Sequence, residues 1–222
     1  MKFKTDFIYT DRATKARYIY LKYKSILHGN IIDIGADECY LKKYLGENVK
    51  YTGIGLDSDK LDLEIDLESG PLPYKDNSFD VVLCFDVLEH LENIYDVFDE
   101  LCRVAKKYVI ISLPNPYSNF FGYLKYGNYT ENQHIKFYGL PLEKPKDRHK
   151  WFFSVEEAVG FVKYRAIKNN MNIVQVDIEG ENEGLQLSIK KLIYRCIFKC
   201  AGLTYTRNLH NGTLWAVLEK IG

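Results

Sequence analysis

The sequence predicts an α/β fold in which helices cover both faces of a doubly wound, mostly parallel sheet. Short, largely apolar strands such as Ile31–Ile34 and Phe79–Phe85 alternate with amphipathic helices, as in a parallel sheet buried on both faces. The first strand runs into a glycine turn at Gly35, and the second ends in a carboxylate at Asp57. A chain of 222 residues is long enough for one well-buried core, so we expect a single domain over residues 1–222.

The amino-acid composition limits which binding partners and which cellular compartment we expect. The 30 basic and 30 acidic residues cancel, which makes nucleic acid an unlikely main partner. The five cysteines form no C-x-x-C pair and no apolar leader precedes them, so we expect reduced thiols and a cytoplasmic protein. Cys196 and Cys200 share a helix face but have no His or Cys partner at ligand spacing, so we expect no metal.

The first half of the chain alternates helix and strand. Asp11 caps a predicted helix over 11–28. The elements expected next are a strand at 31–34, a short helix at 40–45 and a strand at 50–56. The stretch from Asp57 to Asp66 is too short for a crossover helix, which with its loops needs about 10–12 residues. We therefore expect a shortened second crossover and a brief strand at 63–67.

The second half continues the pattern after one interruption. The expected elements are strands at 79–85, 108–113, 173–178 and 213–219, and helices at 93–104 and 154–169. Ser154 and Glu157 form a capping box that opens the later helix. Residues 115–150 show no sustained period, so we interpret them as a lid or acceptor-side insertion without regular structure.

An added cationic amphipathic helix is expected at 185–203, between the last two strands. Three roles stay open for it: packing in the core or a dimer, anion or RNA binding, and weak peripheral membrane contact through 185–200. No apolar stretch approaches the roughly 20 residues that span a bilayer.

The first two strand ends indicate a nucleoside site. Asp57 follows Asp33 by close to the ~20 residues that separate a nucleotide-binding turn from the acid that binds a ribose. A carboxylate can accept hydrogen bonds from two vicinal hydroxyls, which favours that role for Asp57. The turn from Gly35 to Cys39 is not G-x-G-x-x-G, and its two carboxylates would repel a pyrophosphate. A cofactor without phosphates therefore fits better than NAD or FAD.

The middle of the chain carries a more specific pattern. Asp66-Leu67-Glu68, Leu72-Pro73, Asp76–Asp80 and Val87-Leu88-Glu89-His90 together resemble the LP-x-x-DNSFD-to-LEH signature of class I S-adenosylmethionine-dependent methyltransferases. The resemblance covers roughly residues 28–115. It implies a Rossmann-like, seven-stranded sheet with an antiparallel last strand, and S-adenosylmethionine as the cofactor. Residues 113–116 and 149–154 are similar to a subset that acts on small molecules, quinones and glycans.

The resemblance also implies roles for individual residues around the cofactor. It places Asp33, Gly35, Ala36 and Asp37 under the methionine part, and Cys84, Phe85 and Asp86 beside that part and the methyl group. It assigns Asp57 to the ribose and Asp66 and Leu67 to the adenine, and it makes Ser58 a further cofactor-binding residue. The family usually has glycines where this chain has Asp37 and Cys39.

On the acceptor side, His149 is the candidate general base or orienting group, because an imidazole titrates near neutral pH. The alternative is that His149 merely packs beside Trp151 or is solvated. The resemblance thus implies an enzyme that transfers a methyl group by in-line displacement to a small-molecule, glycan- or lipid-linked acceptor. Two alternatives stay open: a non-catalytic binding or scaffold protein on the same fold, and an RNA methyltransferase, suggested by Lys22, Lys24 and the basic stretch at 190–199.

Overall fold

A seven-stranded mixed sheet lies at the centre of the computed structural model, which describes residues 2–126, 138–140, 142–145, 147–180 and 185–221. Its strands are β1 (Asn30–Ile34), β2 (Lys50–Gly55), β3 (Leu63–Glu64), β4 (Phe79–Phe85), β5 (Ala105–Leu113), β6 (Met171–Ile178) and β7 (Leu214–Lys220). Their order is β3-β2-β1-β4-β5-β7-β6. The first five strands pair in parallel, and β7 runs antiparallel to β5 and β6. The predicted fold class is confirmed.

Helices pack on both faces because the central strands are apolar on both sides. The helices are α1 (Arg12–Tyr23), α2 (Ile94–Val104), α3 (Pro116–Tyr126), α4 (Val155–Lys168) and α5 (Leu185–Cys200). Successive residues of β1 serve different cores: Ile31 joins the α1 side and Ile32 joins the α2 and α4 side. Trp215 anchors the first core and Phe98 the second, and both are fully buried.

The predicted helix caps are present. The Asp11 carboxylate accepts the Thr14 amide at 2.8 Å, and Ser154 forms a reciprocal capping box with Glu157. These side chains satisfy amides that have no partner inside the helix, which fixes where α1 and α4 begin. The short helix expected at 40–45 is a single 3-10 turn at Lys42–Tyr44.

The shortened second crossover is confirmed. β2 and β3 pair in parallel with no helix between them. The Gly53 amide donates to the Asp62 carboxylate at 2.8 Å, which ties the connecting loop to the strand. The Ile65 amide donates to the Gly55 carbonyl at 2.8 Å, which keeps the neighbouring Asp66 close to the end of β2.

The expectation of no regular structure over 115–150 is wrong in its first part, where α3 forms. Pro116 occupies the first turn, where its missing amide hydrogen costs nothing. The Tyr117 amide donates to the Asn115 side chain at 3.1 Å, and Asn115 is held in turn by the carbonyls of Asn208 and Asn211. Residues 127–137, 141 and 146 of the predicted lid lie outside the described residues, so the lid stays a prediction.

Helix α5 presents an apolar face to solvent. Ile189, Leu192, Ile193 and Ile197 are exposed there. Their exposure shows that this face of α5 does not pack in the core of the chain. The dimer and membrane alternatives stay predictions. Among the described helices, none combines the length and the apolar character that crossing a membrane requires.

We expect Phe98→Ala to lower the free energy of unfolding by about 3–5 kcal/mol, because it leaves a cavity in the core. Phe98 is fully buried and packs edge-on against Phe161 at 5.4 Å between ring centroids. Urea unfolding measures the loss. Ile167→Ala is the control: this residue of α4 is exposed, and we expect a change within about 0.5 kcal/mol. Equal losses in the two variants would contradict the packing described here.

Candidate active site

An open cavity of about 700 Å³ lies at the carboxyl ends of β1, β2 and β4, with α1 on one side. Parallel strands bring their ends to one edge, and the loops that follow them form the walls. The lining is acidic; its carboxylate residues are Asp33, Asp37, Asp57, Asp66, Asp86, Glu89 and Asp147. Arg12 and Lys15 of α1 supply the opposing charge.

The turn after β1 is shaped by the close approach of the Val87 side chain to Gly35. Gly35 has a φ of +73°, and a Cβ there would lie 2.2 Å from Val87 Cγ2, so only glycine fits. Asp37 and Cys39 both have a φ of 51°. These are the positions where the resembled family usually has glycine, and the backbone takes a left-handed conformation without it. The turn therefore keeps a left-handed backbone at Asp37 and Cys39, although neither residue is glycine.

Asp33 is buried at the floor of the cavity. Its carboxylate accepts a hydrogen bond from the Tyr51 hydroxyl at 2.7 Å. Burial raises the pKa of Asp33 to about 7, although the Tyr51 bond opposes the shift. A carboxyl in this state can ionise when a cationic group binds next to it.

Asp57, Asp66 and Leu67 lie along the β2 and β3 side of the cavity. Asp57 lies two residues beyond the end of β2, in a left-handed conformation with a φ of 62°. The Asp66 carboxylate accepts the Glu68 amide at 2.9 Å, which fixes its turn, and the Leu67 carbonyl accepts from Asn93 at 2.9 Å. The positions expected to hold the ribose and the adenine therefore share one wall.

Asp86, at the end of β4, is linked to α1. Its carboxylate accepts the Ser112 hydroxyl at 2.6 Å and forms an ion pair with Lys15. Arg12, one turn earlier, pairs with Asp37 at 2.8 Å. Neither cation stands out in the sequence, where both are ordinary polar residues of an amphipathic helix. Only the packing of α1 over the strand ends brings them to the cavity.

The far end of the cavity holds a second polar group. Glu89 is completely buried, and burial, followed by the charge of Asp86, raises its pKa well above the usual range. Glu89 Oε1 lies 3.6 Å from His90 Nε2 and 3.8 Å from His149 Nε2. Asp147 is 2.6 Å from His90 Nδ1. The sequence analysis singled out His149 but gave Glu89 no role, although it stands within the quoted signature.

The structure brings most of the predicted site residues to one cavity. Its lining includes Asp33, Gly35, Ala36, Asp37, Asp57, Asp66, Leu67, Phe85, Asp86 and His149. Ser58 and Cys84 are not part of the lining: Ser58 contacts Glu38 and the Lys60 amide, and Cys84 is fully buried within β4. The binding role of each residue stays a prediction.

Comparison with known proteins agrees with this geometry. Residues 32–112 match a family described as a methyltransferase domain. An S-adenosylmethionine-dependent methyltransferase from Archaeoglobus fulgidus is similar in structure, with 18% identity, 95% of each chain covered and a TM-score of 0.54. A magnesium protoporphyrin IX methyltransferase from Synechocystis, solved with bound S-adenosylhomocysteine, shows 13% identity over 96% of this chain and 90% of that chain, with a TM-score of 0.53.

A cyclase is also similar, with 13% identity over 100% of this chain and 86% of that chain and a TM-score of 0.57. No curated protein matches this chain. At these identities the structural likenesses show the fold. The domain match over residues 32–112 agrees with the methyltransferase that the sequence predicts, and the neighbours named above include an S-adenosylmethionine-dependent enzyme.

We expect Asp33 to make stability fall as pH rises from about 4 to 7. In that window the unfolded Asp, with a pKa of 3.8, has lost its proton, while the folded carboxyl with a pKa of about 7 keeps it. The unfolded state therefore binds fewer protons than the folded state. The free energy of unfolding should then fall by up to about 1.4 kcal/mol per pH unit. Urea unfolding of Asp33→Asn and of the unaltered protein across this range measures the difference.

The Asn side chain cannot ionise, so the stability of the unaltered protein relative to Asp33→Asn should decline through the window. Asp59→Asn is the control, because the Asp59 side chain is largely exposed. A constant difference between the unaltered protein and Asp33→Asn would contradict the burial assigned to this carboxyl.

Proposed function

We propose that this protein transfers a methyl group from S-adenosylmethionine to a small-molecule, glycan- or lipid-linked acceptor by in-line displacement. The observation that carries the proposal is one continuous cavity, with acidic strand ends at one end and the buried Glu89 and His149 at the other. The donor is already activated, so the protein needs mainly to align the nucleophile, methyl and sulfur. Such positioning can lower a barrier by roughly 7–11 kcal/mol.

The cofactor end of the cavity is chemically suited to this donor. We assign Asp57, near the end of β2, to the ribose hydroxyls, and Asp66 and Leu67 to the adenine; the presence of all three in the cavity lining supports this assignment. Asp37 and Asp86 supply carboxylates where the ammonium and sulfonium of the donor would lie, and Asp33, with a pKa of about 7, can ionise when a cation binds beside it. A phosphate-bearing cofactor would meet repulsion at the same place.

The acceptor end supports an acceptor that loses a proton on methylation. Only alcohols, phenols and similar groups require a proton acceptor, and His149 beside Glu89 is suited to that task. The Tyr138 hydroxyl and His149 Nδ1 are 2.8 Å apart, which orients the imidazole. We assign His149 to activation of the acceptor.

The two alternatives have less support. An RNA methyltransferase needs a basic surface that neutralises phosphates, whereas this cavity is predominantly acidic. A non-catalytic scaffold does not account for a buried carboxylate and imidazole at the end of the cavity. The cyclase among the structural neighbours nevertheless makes a direct assay of methyl transfer the decisive measurement.

We expect Asp57→Asn to weaken S-adenosylhomocysteine binding about 10- to 100-fold, because it replaces charge-assisted hydrogen bonds to the ribose with neutral ones. Asn tolerates the left-handed backbone at this position, so the fold is preserved. Isothermal titration calorimetry measures the dissociation constant. Asp59→Asn, an exposed acid two residues away, is the matched control and should bind normally. Undiminished binding by Asp57→Asn would remove the ribose assignment.

We expect His149→Ala to lower turnover about 10²- to 10⁴-fold, the range typical of a lost proton-transfer group. Its affinity for S-adenosylhomocysteine should change little, because His149 lies beyond the cofactor residues. The assay follows release of S-adenosylhomocysteine with a panel of phenols, quinols and glycans. His28→Ala, at an exposed histidine, is the control. Full turnover by His149→Ala would show that this residue does not act on the acceptor.

A further inference from the structure

We propose that Glu89, His90 and His149 bind one divalent transition-metal ion, preferably Zn²⁺, at the acceptor end of the cavity. We call these three residues the Glu89 cluster. Binding of the ion depends only on the side chains of the cluster. The role of the ion in activating an acceptor rests on the proposed function.

The spacing of the Glu89 cluster suits an ion better than a hydrogen-bond network. One ligand atom from each residue lies within 4.8 Å of the others. Glu89 Oε1 is 3.6 Å from His90 Nε2 and 3.8 Å from His149 Nε2, too far for hydrogen bonds. An ion that binds oxygen and nitrogen at about 2.0–2.1 Å holds its ligands roughly 3.0–3.4 Å apart. The two distances to Glu89 Oε1 would shorten by several tenths of an ångström on binding, and the histidine ligand atoms, at most 4.8 Å apart, would move towards each other.

The burial of Glu89 supplies an independent argument. Both carboxylate oxygens are buried and have no hydrogen-bond partner within the described part of the chain. A buried carboxylate is costly unless it is paired or coordinates a metal. Coordination by Oε1 would provide the missing partner and would let the carboxyl ionise.

Both histidines are already oriented as metal ligands usually are. His90 Nδ1 lies 2.6 Å from the Asp147 carboxylate, and His149 Nδ1 lies 2.8 Å from the Tyr138 hydroxyl. Ligating histidines usually hold a carboxylate, carbonyl or similar group with the second ring nitrogen, which fixes the tautomer and the ring plane. While each Nδ1 is engaged in this way, the Nε2 atoms of His90 and His149 lie 3.6 and 3.8 Å from Glu89 Oε1.

The donor set indicates the class of ion. Two imidazoles and one carboxylate suit Zn²⁺ and similar transition metals, whereas Mg²⁺ prefers oxygen ligands and water. Three protein ligands leave a position for an acceptor oxygen, and an ion there would lower the pKa of a bound hydroxyl. His149 would then act as a ligand that positions the ion instead of as a direct base. This differs from the sequence-based expectation of no metal, which considered only ligands close together in the chain.

The test uses the untagged, full-length protein freed of metal by a chelator. Zn²⁺ is titrated in competition with a chromophoric chelator, and Co²⁺ is titrated as a spectroscopic substitute. We expect one ion per chain, little competition from Mg²⁺, and Co²⁺ absorption without a thiolate band. Glu89→Gln should weaken Zn²⁺ binding by more than the roughly 10- to 100-fold that loss of an outer partner costs. His90→Gln provides a second variant at a partly exposed position.

Two controls identify adventitious binding. His28→Ala alters an exposed histidine elsewhere, and Cys196→Ser with Cys200→Ser removes the exposed thiols of α5. Both should bind Zn²⁺ normally. No saturable binding by the unaltered protein, binding lost with the α5 cysteines, or unchanged binding in both Glu89→Gln and His90→Gln would overturn the metal site.

S-adenosylhomocysteine binding, measured in the same samples, separates this inference from the proposed function. If the protein binds S-adenosylhomocysteine but no metal, the proposed metal site is refuted and the proposed function stands. If the protein binds the metal at the Glu89 cluster but no S-adenosylhomocysteine, the proposed function is refuted and the metal site stands.

Discussion

The parallel pairing of β1 with both β2 and β4 is the constraint on which the site depends. In this register Asp33 lies opposite Gly53 on one side and Leu83 on the other, so the three strands end at the same level. The turns that follow each strand must therefore meet at one edge. Asp33 reaches the cavity from β1 itself, whereas Asp37, Asp57 and Asp86 reach it from the turns after β1, β2 and β4, and Asp66 from the segment after β3. A slip of β1 by one residue would exchange its two faces and dismantle the site.

The cavity concentrates negative charge that the protein neutralises only in part. Lys15 forms an ion pair with Asp86, and Arg12 forms one with Asp37. Burial raises the pKa of Asp33 to about 7, so this carboxyl keeps its proton below that pH. An arrangement of this kind favours a ligand that brings positive charge. The sulfonium and ammonium of S-adenosylmethionine meet that requirement, whereas a pyrophosphate does not. For the same electrostatic reason, the buried carboxyl of Glu89 at the acceptor end favours a cation bound beside it.

The fold by itself does not decide the reaction. Methyltransferases and a cyclase resemble this chain to a similar degree, with TM-scores of 0.53 to 0.57. What distinguishes reactions on a shared fold is the chemistry of the site. In this chain that chemistry is proposed to lie beyond the residues assigned to the cofactor, where Glu89, His90 and His149 converge from two separate segments.

The sequence by itself determined the alternation of strands and helices, the shortened second crossover, and the acids at the strand ends, because apolar periodicity and turn residues act over short stretches of chain. It did not reveal α3, whose Asn115 cap depends on contacts with Asn208 and Asn211. It did not reveal Lys15 or the roles of Glu89 and His90 either. These residues acquire their chemistry from burial and from partners far away in the chain, and only the tertiary structure decides burial and distant contacts.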